Sequence, residues 1–440
     1  MSSPLQATVV FLLAAAAALP AAGRAPDGFG SPEAFAAAAR RAGLRVIESD
    51  RLVLVTDRPA REGDGVEGLP QVFDQAVAAW CQHYGMPPPA DWRACGCLVV
   101  DRERFRAAGL LPTTIPEFAH GFCAGHSFWL QDQSNPAYRR HLLLHEGVHA
   151  FTLTERRLAT PAWYNEGIAE LLATHRLEGG AASPAFVPTP IPNRSTDVEQ
   201  LGRIEELRSL RQARRMPSLG EVLAAPHGDH RAVSDYAASW AAVVLLTAHP
   251  AYADPFAALE RGPLGADFND RLASMPGFDA ARASRDYDAL TDEIDYGYGF
   301  ARSAIDWTPG KPLDTSTRLE VAAGRGWQNT GVALAAGRRY VLRANGRCSL
   351  GRVGDSPVDT EAGGISLDWY RGRPLGRLLV AQWSDSPPDG GRPRFVMLGE
   401  GAAATITAAT DGPLYLKLNE PPGELADDAG SIAVEVEAVP

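Results

Sequence analysis

Ten histidines are spread over 440 residues, and two of them stand in a pattern that can do chemistry: His145-Glu146-Gly147-Val148-His149, inside the apolar run 142–151. Residues four apart share a helix face, so His145 and His149 can offer two imidazoles to one metal ion. Imidazole is a preferred zinc ligand, and a catalytic zinc keeps three protein ligands and an open position for water. Glu146, beside the first histidine, is placed to take a proton from that water. The segment Thr160-Pro161-Ala162-Trp163-Tyr164-Asn165-Glu166-Gly167-Ile168-Ala169-Glu170 supplies the third ligand. Thr160 can cap a helix and Pro161 suits its first turn, which sets Glu166 and Glu170 on one face. Glu166 completes a set of two histidines and one carboxylate. His141, on the same face as His145, is its rival.

These residues need a core around them. A hydrophobic fraction of 45% is ample for two or three folded domains. Net charge is −11, from 42 basic and 53 acidic residues with no basic block, which argues against nucleic acid as partner. The apolar run 9–19 and the small-residue stretch after it read as a signal peptide over 1–25, too short for a confident membrane span. An uncleaved anchor is the alternative, since no Lys or Arg precedes the run. Export to the periplasm, envelope or exterior suits Cys81, Cys95, Cys97 and Cys123, with Cys348 far away. A bond between Cys95 and Cys97 would be strained, so each is expected to pair outward; four free buried thiols are the other reading.

A helix over 32–42, a strand over 51–56, a helix over 66–84 and strands over 97–101 and 126–131 precede the metal motif. That order predicts an α+β fold, a mixed sheet packed against helices, over 26–307. A charged helix over 198–215 and an apolar helix from Tyr236 to 246 follow.

His145-Glu146-x-x-His149 with Trp163-x-x-Glu166-Gly167-x-Ala169-Glu170 resembles the gluzincin zinc metallopeptidases, in particular the bacterial peptidase MA-like families. The resemblance implies a zincin-like catalytic domain acting on peptide or protein substrates. It implies Glu166 as third zinc ligand and Glu170 as the group that holds a ligand histidine by its other ring nitrogen. It makes residues 126–131 the sheet edge that pairs with substrate. Tyr236 falls where related gluzincins place an oxyanion donor, with His230 a weaker candidate for that work. No G-x-M-E-N sequence is present, in contrast to the large aminopeptidases.

Beyond residue 310 short apolar runs at 318–322, 339–343, 377–382, 405–408, 413–418 and 431–436 alternate with Gly-rich turns, the pattern of an all-β sandwich over 315–440. Gly326-Trp327-Gln328-x-Thr330-Gly331, Ala344-Asn345-Gly346, Leu375-Gly376 and the stretch from Leu414 to Glu420 resemble the bacterial calcium-dependent galactose-binding lectins, a jelly-roll fold. That resemblance implies calcium held by Glu420, Asp427 and Asp428, with carbonyls of Glu424 and Leu350, and carbohydrate as a partner. Oxygen ligands suit such a hard cation. Glu420 and Asp427 replace an aspartate and an asparagine of the family pattern. The expectation is a secreted zinc peptidase with an appended lectin-like module. The alternative is an inactive, metal-bearing protein that binds carbohydrate or a surface.

Overall fold

The computed structural model describes residues 29–61, 63–179, 184–198, 202–226 and 233–439. The segment 1–25 and His230 lie outside the described residues. The fold is α+β, with helices ending at Ser303 and strands continuing from Lys311.

The first unit is built on strands β1 (Arg45–Glu48), β2 (Leu52–Thr56), β3 (Ala94–Val99), β4 (Gly121–Ala124) and β5 (Ser127–Gln131), in the order β1-β2-β3-β5-β4. β2, β3 and β5 run parallel, whereas β1 and β4 are antiparallel to their neighbours. Leu52-Val53-Leu54-Val55 is apolar throughout because both faces are covered. Leu52 and Leu54 join the large core, while Val53 and Val55 join a smaller one beneath helix α1 (Pro32–Arg41). Such doubly covered strands read as continuous apolar runs.

Helix α2 (Leu69–Tyr84) ends at Gly85, whose left-handed backbone (φ 62°) favours glycine. Helix α3 (Arg102–Ala107) starts at Asp101, which accepts bonds from two of its backbone N–H groups. Helix α4 (Pro136–Glu155) carries the histidine motif. Asn135 caps it by accepting from the Ala137 and Tyr138 N–H groups, and Pro136 sits at its start. Nearly every residue from Ala137 to Thr152 is buried, because α4 packs on β3, β4 and β5 and also meets α2 and helix α5 (Ala162–Ala173). Thr160 does not cap α5. Pro161 occupies the cap position, and its carbonyl accepts from the Tyr164 and Asn165 N–H groups.

The hairpin β6 (His175–Glu178) and β7 (Ala185–Pro188) follows α5. Helices α6 (Ile204–Gln212), α7 (Leu219–Ala224), α8 (Val233–Ala248), α9 (Ala253–Arg261), α10 (Phe268–Ala273), α11 (Ala280–Glu293) and α12 (Phe300–Ser303) complete the unit. The expected strand over 126–131 forms, but it is not the edge. β5 pairs with β3 on one side and β4 on the other, so β4 is the edge strand at that end of the sheet.

The second unit has two sheets over one core. One contains β8 (Lys311–Pro312), β10 (Gln328–Leu334), β16 (Leu378–Ser384), β17 (Arg394–Glu400) and β19 (Gly412–Leu418). The other contains β9 (Ser316–Ala322), β11 (Arg339–Asn345), β12 (Cys348–Val353), β13 (Ser356–Thr360), β18 (Ala403–Thr407) and β20 (Asp428–Ala438). The ribbon β14 (Ile365–Tyr370) and β15 (Arg373–Leu375) projects from it and exposes Leu367 and Trp369. On β19, Leu414, Leu416 and Leu418 enter the sandwich core, whereas Tyr415 joins a separate cluster with Ala289 of α11 and Trp327. The two units therefore share a packed seam.

All five cysteines are free, which corrects the expectation of outward disulfides. Cys95 and Cys97 fall on the same face of β3 and are buried under α1, while Cys81 lies in the core on the other side of the sheet. Burial pushes the Cys95 thiol up to about 12, which keeps it protonated and unreactive. No described helix is long and apolar enough to cross a membrane.

Candidate metal centre

α4 and α5 bring three sequence-selected side chains to one point. His145 Nε2 and His149 Nε2 face each other at 3.1 Å, and each stands 3.4 Å from Glu166 Oε2. Zinc bonds of about 2.0–2.1 Å at tetrahedral angles would put neighbouring donors roughly 3.3–3.4 Å apart. Glu166 Oε2 is buried and makes no hydrogen bond, a costly situation for a carboxylate oxygen unless a cation takes it. The donor set thus fits a divalent ion.

Both imidazoles are oriented from behind. His149 Nδ1 lies 3.1 Å from Asn165 Oδ1, and His145 Nδ1 lies 3.2 Å from Glu170 Oε1. These contacts turn both Nε2 atoms toward Glu166. Glu170 is itself gripped by Arg203, whose Nη2 and Nε donate to its two oxygens at 2.6 and 2.8 Å. His141 is not in the Glu166 group. Its Nε2 stands 3.3 Å from Glu170 Oε2, so it belongs to a second converging group, His141, His145 and Glu170.

Charges follow this layout. Burial favours neutral His145, but the Glu166 and Glu170 carboxylates outweigh it and raise the imidazole to about 10. Burial likewise opposes ionised Glu166, yet His149 and His145 hold it far below the usual carboxylate range. Glu146 differs. Burial raises its carboxyl, and the two imidazoles only partly offset that.

Glu146 lies against the backbone of the edge strand. A Cβ added at Gly121 would come within 2.3 Å of Glu146 Oε1, so this glycine makes room for the carboxyl. Gly167 has a similar use on the other side. A Cβ there would meet the Ser239 carbonyl oxygen at 2.5 Å, so α5 and α8 approach closely only because it is glycine. That approach sets the Tyr236 ring edge-on to His145 with centroids 6.0 Å apart, while the Arg203 guanidinium lies 5.9 Å from the same ring.

Asn165, Arg203 and Gly121 escaped the reading of the sequence. Asn165 carried a faint signal, being the neighbour of Glu166 on α5. Arg203 carried none.

In the second unit Glu420 is buried, and its Oε2 and both carboxylate oxygens of Asp428 make no hydrogen bond. Burial first, then Asp428, Glu424 and Asp427, push the Glu420 carboxyl up to about 9. Asp428 rises to about 7, by burial and then the charges of Asp427 and Glu424. Asp427 rests on Gly351 of β12, and Leu350 pairs with Asp428 in the β12–β20 ladder. The Glu420, Asp427 and Asp428 oxygens do not converge as tightly as the two groups on α4 and α5. A cavity of about 740 Å³ lies at the seam between the units among Leu171, Val244, Glu260, Tyr298 and Pro422, and Gly423 and Ala426 of the acidic loop also line it.

No protein-family model and no curated protein matches the chain. Among solved structures, 29% of the chain is similar to 98% of an EclA N-terminal domain described as a PllA-like lectin, at 23% identity and a TM-score of 0.21. Similarity over 31% of the chain extends to 99% of Aeromonas hydrophila PliG, a periplasmic lysozyme inhibitor of g-type lysozyme, at 9% identity and a TM-score of 0.18.

Proposed function

We propose that the protein is a zinc-dependent peptidase with a zincin-like catalytic unit of gluzincin type. The observation that carries this reading is the convergence of His145 Nε2, His149 Nε2 and the orphaned Glu166 Oε2 at 3.1–3.4 Å. A zinc ion held by these three would supply Lewis acidity to a peptide carbonyl and to water. Glu146 takes the proton of the attacking water and returns it to the leaving amine, and its raised carboxyl suits that exchange. The free edge of β4 accepts an extended peptide by backbone pairing, which brings a scissile bond beside Glu146. Tyr236 donates its hydroxyl to the developing oxyanion.

The test combines metal analysis with a peptide-library cleavage assay. Wild type should hold about one zinc, following the three-ligand rule, and His149→Ala should lose it. Glu146→Gln should keep the zinc and the fold while hydrolysis falls by about 10² or more, the usual loss for a general base. Retention of full zinc by His149→Ala would overturn the assignment.

A second reading concerns the β unit, read as a lectin-like jelly roll that binds calcium and, through it, carbohydrate. The orphaned oxygens of Glu420 and Asp428 favour it, since crowded buried carboxylates call for a cation. Equal inactivity of wild type and Glu146→Gln over a broad library, with calcium binding intact, would make this binding role the main one.

A further inference from the structure

His145 belongs to two groups of converging ligands. Its Nε2 faces His149 and Glu166, and its Nδ1 faces Glu170 with His141 beyond. The second group also converges, though its two rings lie farther apart, with centroids at 6.3 against 4.7 Å: His141 Nε2 lies 3.3 Å and His145 Nδ1 3.2 Å from Glu170. His141 Nε2 is also buried without a hydrogen bond, as Glu166 Oε2 is in the first group. An imidazole can bridge two ions through its two nitrogens, so geometry alone would allow a dinuclear centre.

Arg203 separates the two groups. Its guanidinium occupies both oxygens of Glu170 in a bidentate fork, the strongest arrangement open to this pair. The fork neutralises the one carboxylate of the second group and stands where a second ion would be repelled. Arg203 is itself buried, and Tyr236 flanks it from α8. Glu170, held in this way, can accept only a proton-bearing Nδ1 from His145, which leaves Nε2 for the first group.

We propose that Arg203 is the positioning residue that makes this centre mononuclear: by closing the His141–His145–Glu170 group it fixes His145 to coordinate through Nε2 alone. This rests on reading the first group as a metal site.

Zinc equivalents per chain, measured by equilibrium dialysis and elemental analysis, test it. Wild type saturates at one ion in excess zinc. Arg203→Gln, which keeps a donor but removes the charge, takes two, and its first ion binds roughly tenfold to a hundredfold more weakly, as loss of a ligand's support does. Arg203→Lys returns to one because the charge is restored. Adding Glu170→Gln to Arg203→Gln also returns to one, because the second group then lacks its carboxylate. A purely structural Arg203 would lower the melting point of Arg203→Gln without changing the stoichiometry. One ion in folded Arg203→Gln overturns the proposal while leaving the metal reading intact, and so do two ions in wild type. No ion in wild type overturns both. Should Arg203→Gln fail to fold, nitrogen-detected NMR of the zinc-loaded wild type decides. His145 with a proton on Nδ1 and zinc on Nε2 supports the proposal, and coordination through Nδ1 overturns it.

Discussion

Three glutamates of the α4–α5 pair are buried alike but charged differently. Burial acts against ionisation in all three, yet imidazoles hold Glu166, and Arg203 with His141 holds Glu170, far below the usual range. Glu146 alone is raised. On the proposed peptidase reading, environments that push like groups apart suit Glu166 and Glu170 as charge partners and Glu146 as proton carrier. Because Gly121 leaves room for the Glu146 carboxyl, Gly121→Ala should displace it, since the flexible end of that side chain is what the new methyl meets. Zinc content should be unchanged, while peptide hydrolysis should fall by up to about 10², the loss that misplacement by about 1 Å can bring. Full activity in that variant would show that the edge strand does not set the base. Tyr236→Phe should cost less, and the loss should appear in kcat rather than KM, because the proposed donation of its hydroxyl to the oxyanion would be felt only in the transition state.

At the level of elements, the close approach of α5 to α8 matters most. Gly167→Ala inserts a methyl against the Ser239 carbonyl, a backbone atom that cannot swing away. Overpacking of this kind costs about 1–3 kcal/mol. Denaturant unfolding should show the loss, and the activity of the folded variant should fall with the shift of Tyr236. The acidic loop of the β unit makes a separate prediction. Folded Glu420 and Asp428 hold protons up to about 9 and about 7, against ordinary values of 4.5 and 3.8. Between those limits the native state binds more protons than the unfolded chain, so stability declines as pH rises. In chelator the melting midpoint should fall between about pH 5 and about pH 9, by less in Glu420→Gln than in wild type. Millimolar calcium should abolish the wild-type decline, since a bound cation favours the ionised carboxylates. A decline that calcium leaves unchanged would remove the cation site.

Across the whole molecule, the two units are joined by charges as well as by the apolar seam. Lys417 of β19 and Arg371 both pair with Glu293 of α11, Arg392 donates to both oxygens of Asp288, and the Trp307 indole donates to Asp286. Burial opposes ionised Glu293, but Lys417 and Arg371 hold it down at about 2. Removing one partner of a buried pair strands the other, so Lys417→Ala should lower stability by about 3 kcal/mol, the low end for such pairs because Arg371 remains. Calorimetry that showed two independent transitions, with only the β unit affected, would contradict a seam that couples them.

Local periodicity, read from the sequence alone, was enough to pick out the side chains that converge. Helical spacing puts His145 over His149, and Glu166 over Glu170, whatever surrounds them. The same holds for the succession of helices followed by short strands, because turn residues and alternation act within a few positions. What the sequence left open depends on segments that meet across the fold. Gly121–Ala124 became the edge in place of 126–131, because strand order is decided by pairing between distant chains of backbone, not by either strand's own composition. Cys81 stayed apart from Cys95 and Cys97 because α2 and β3 turn them to opposite sides of one sheet. Arg203 meets Glu170 from 33 positions away, and no local pattern marks it. Only the packing of α6 and α8 beside α5 decided which charge stands behind His145.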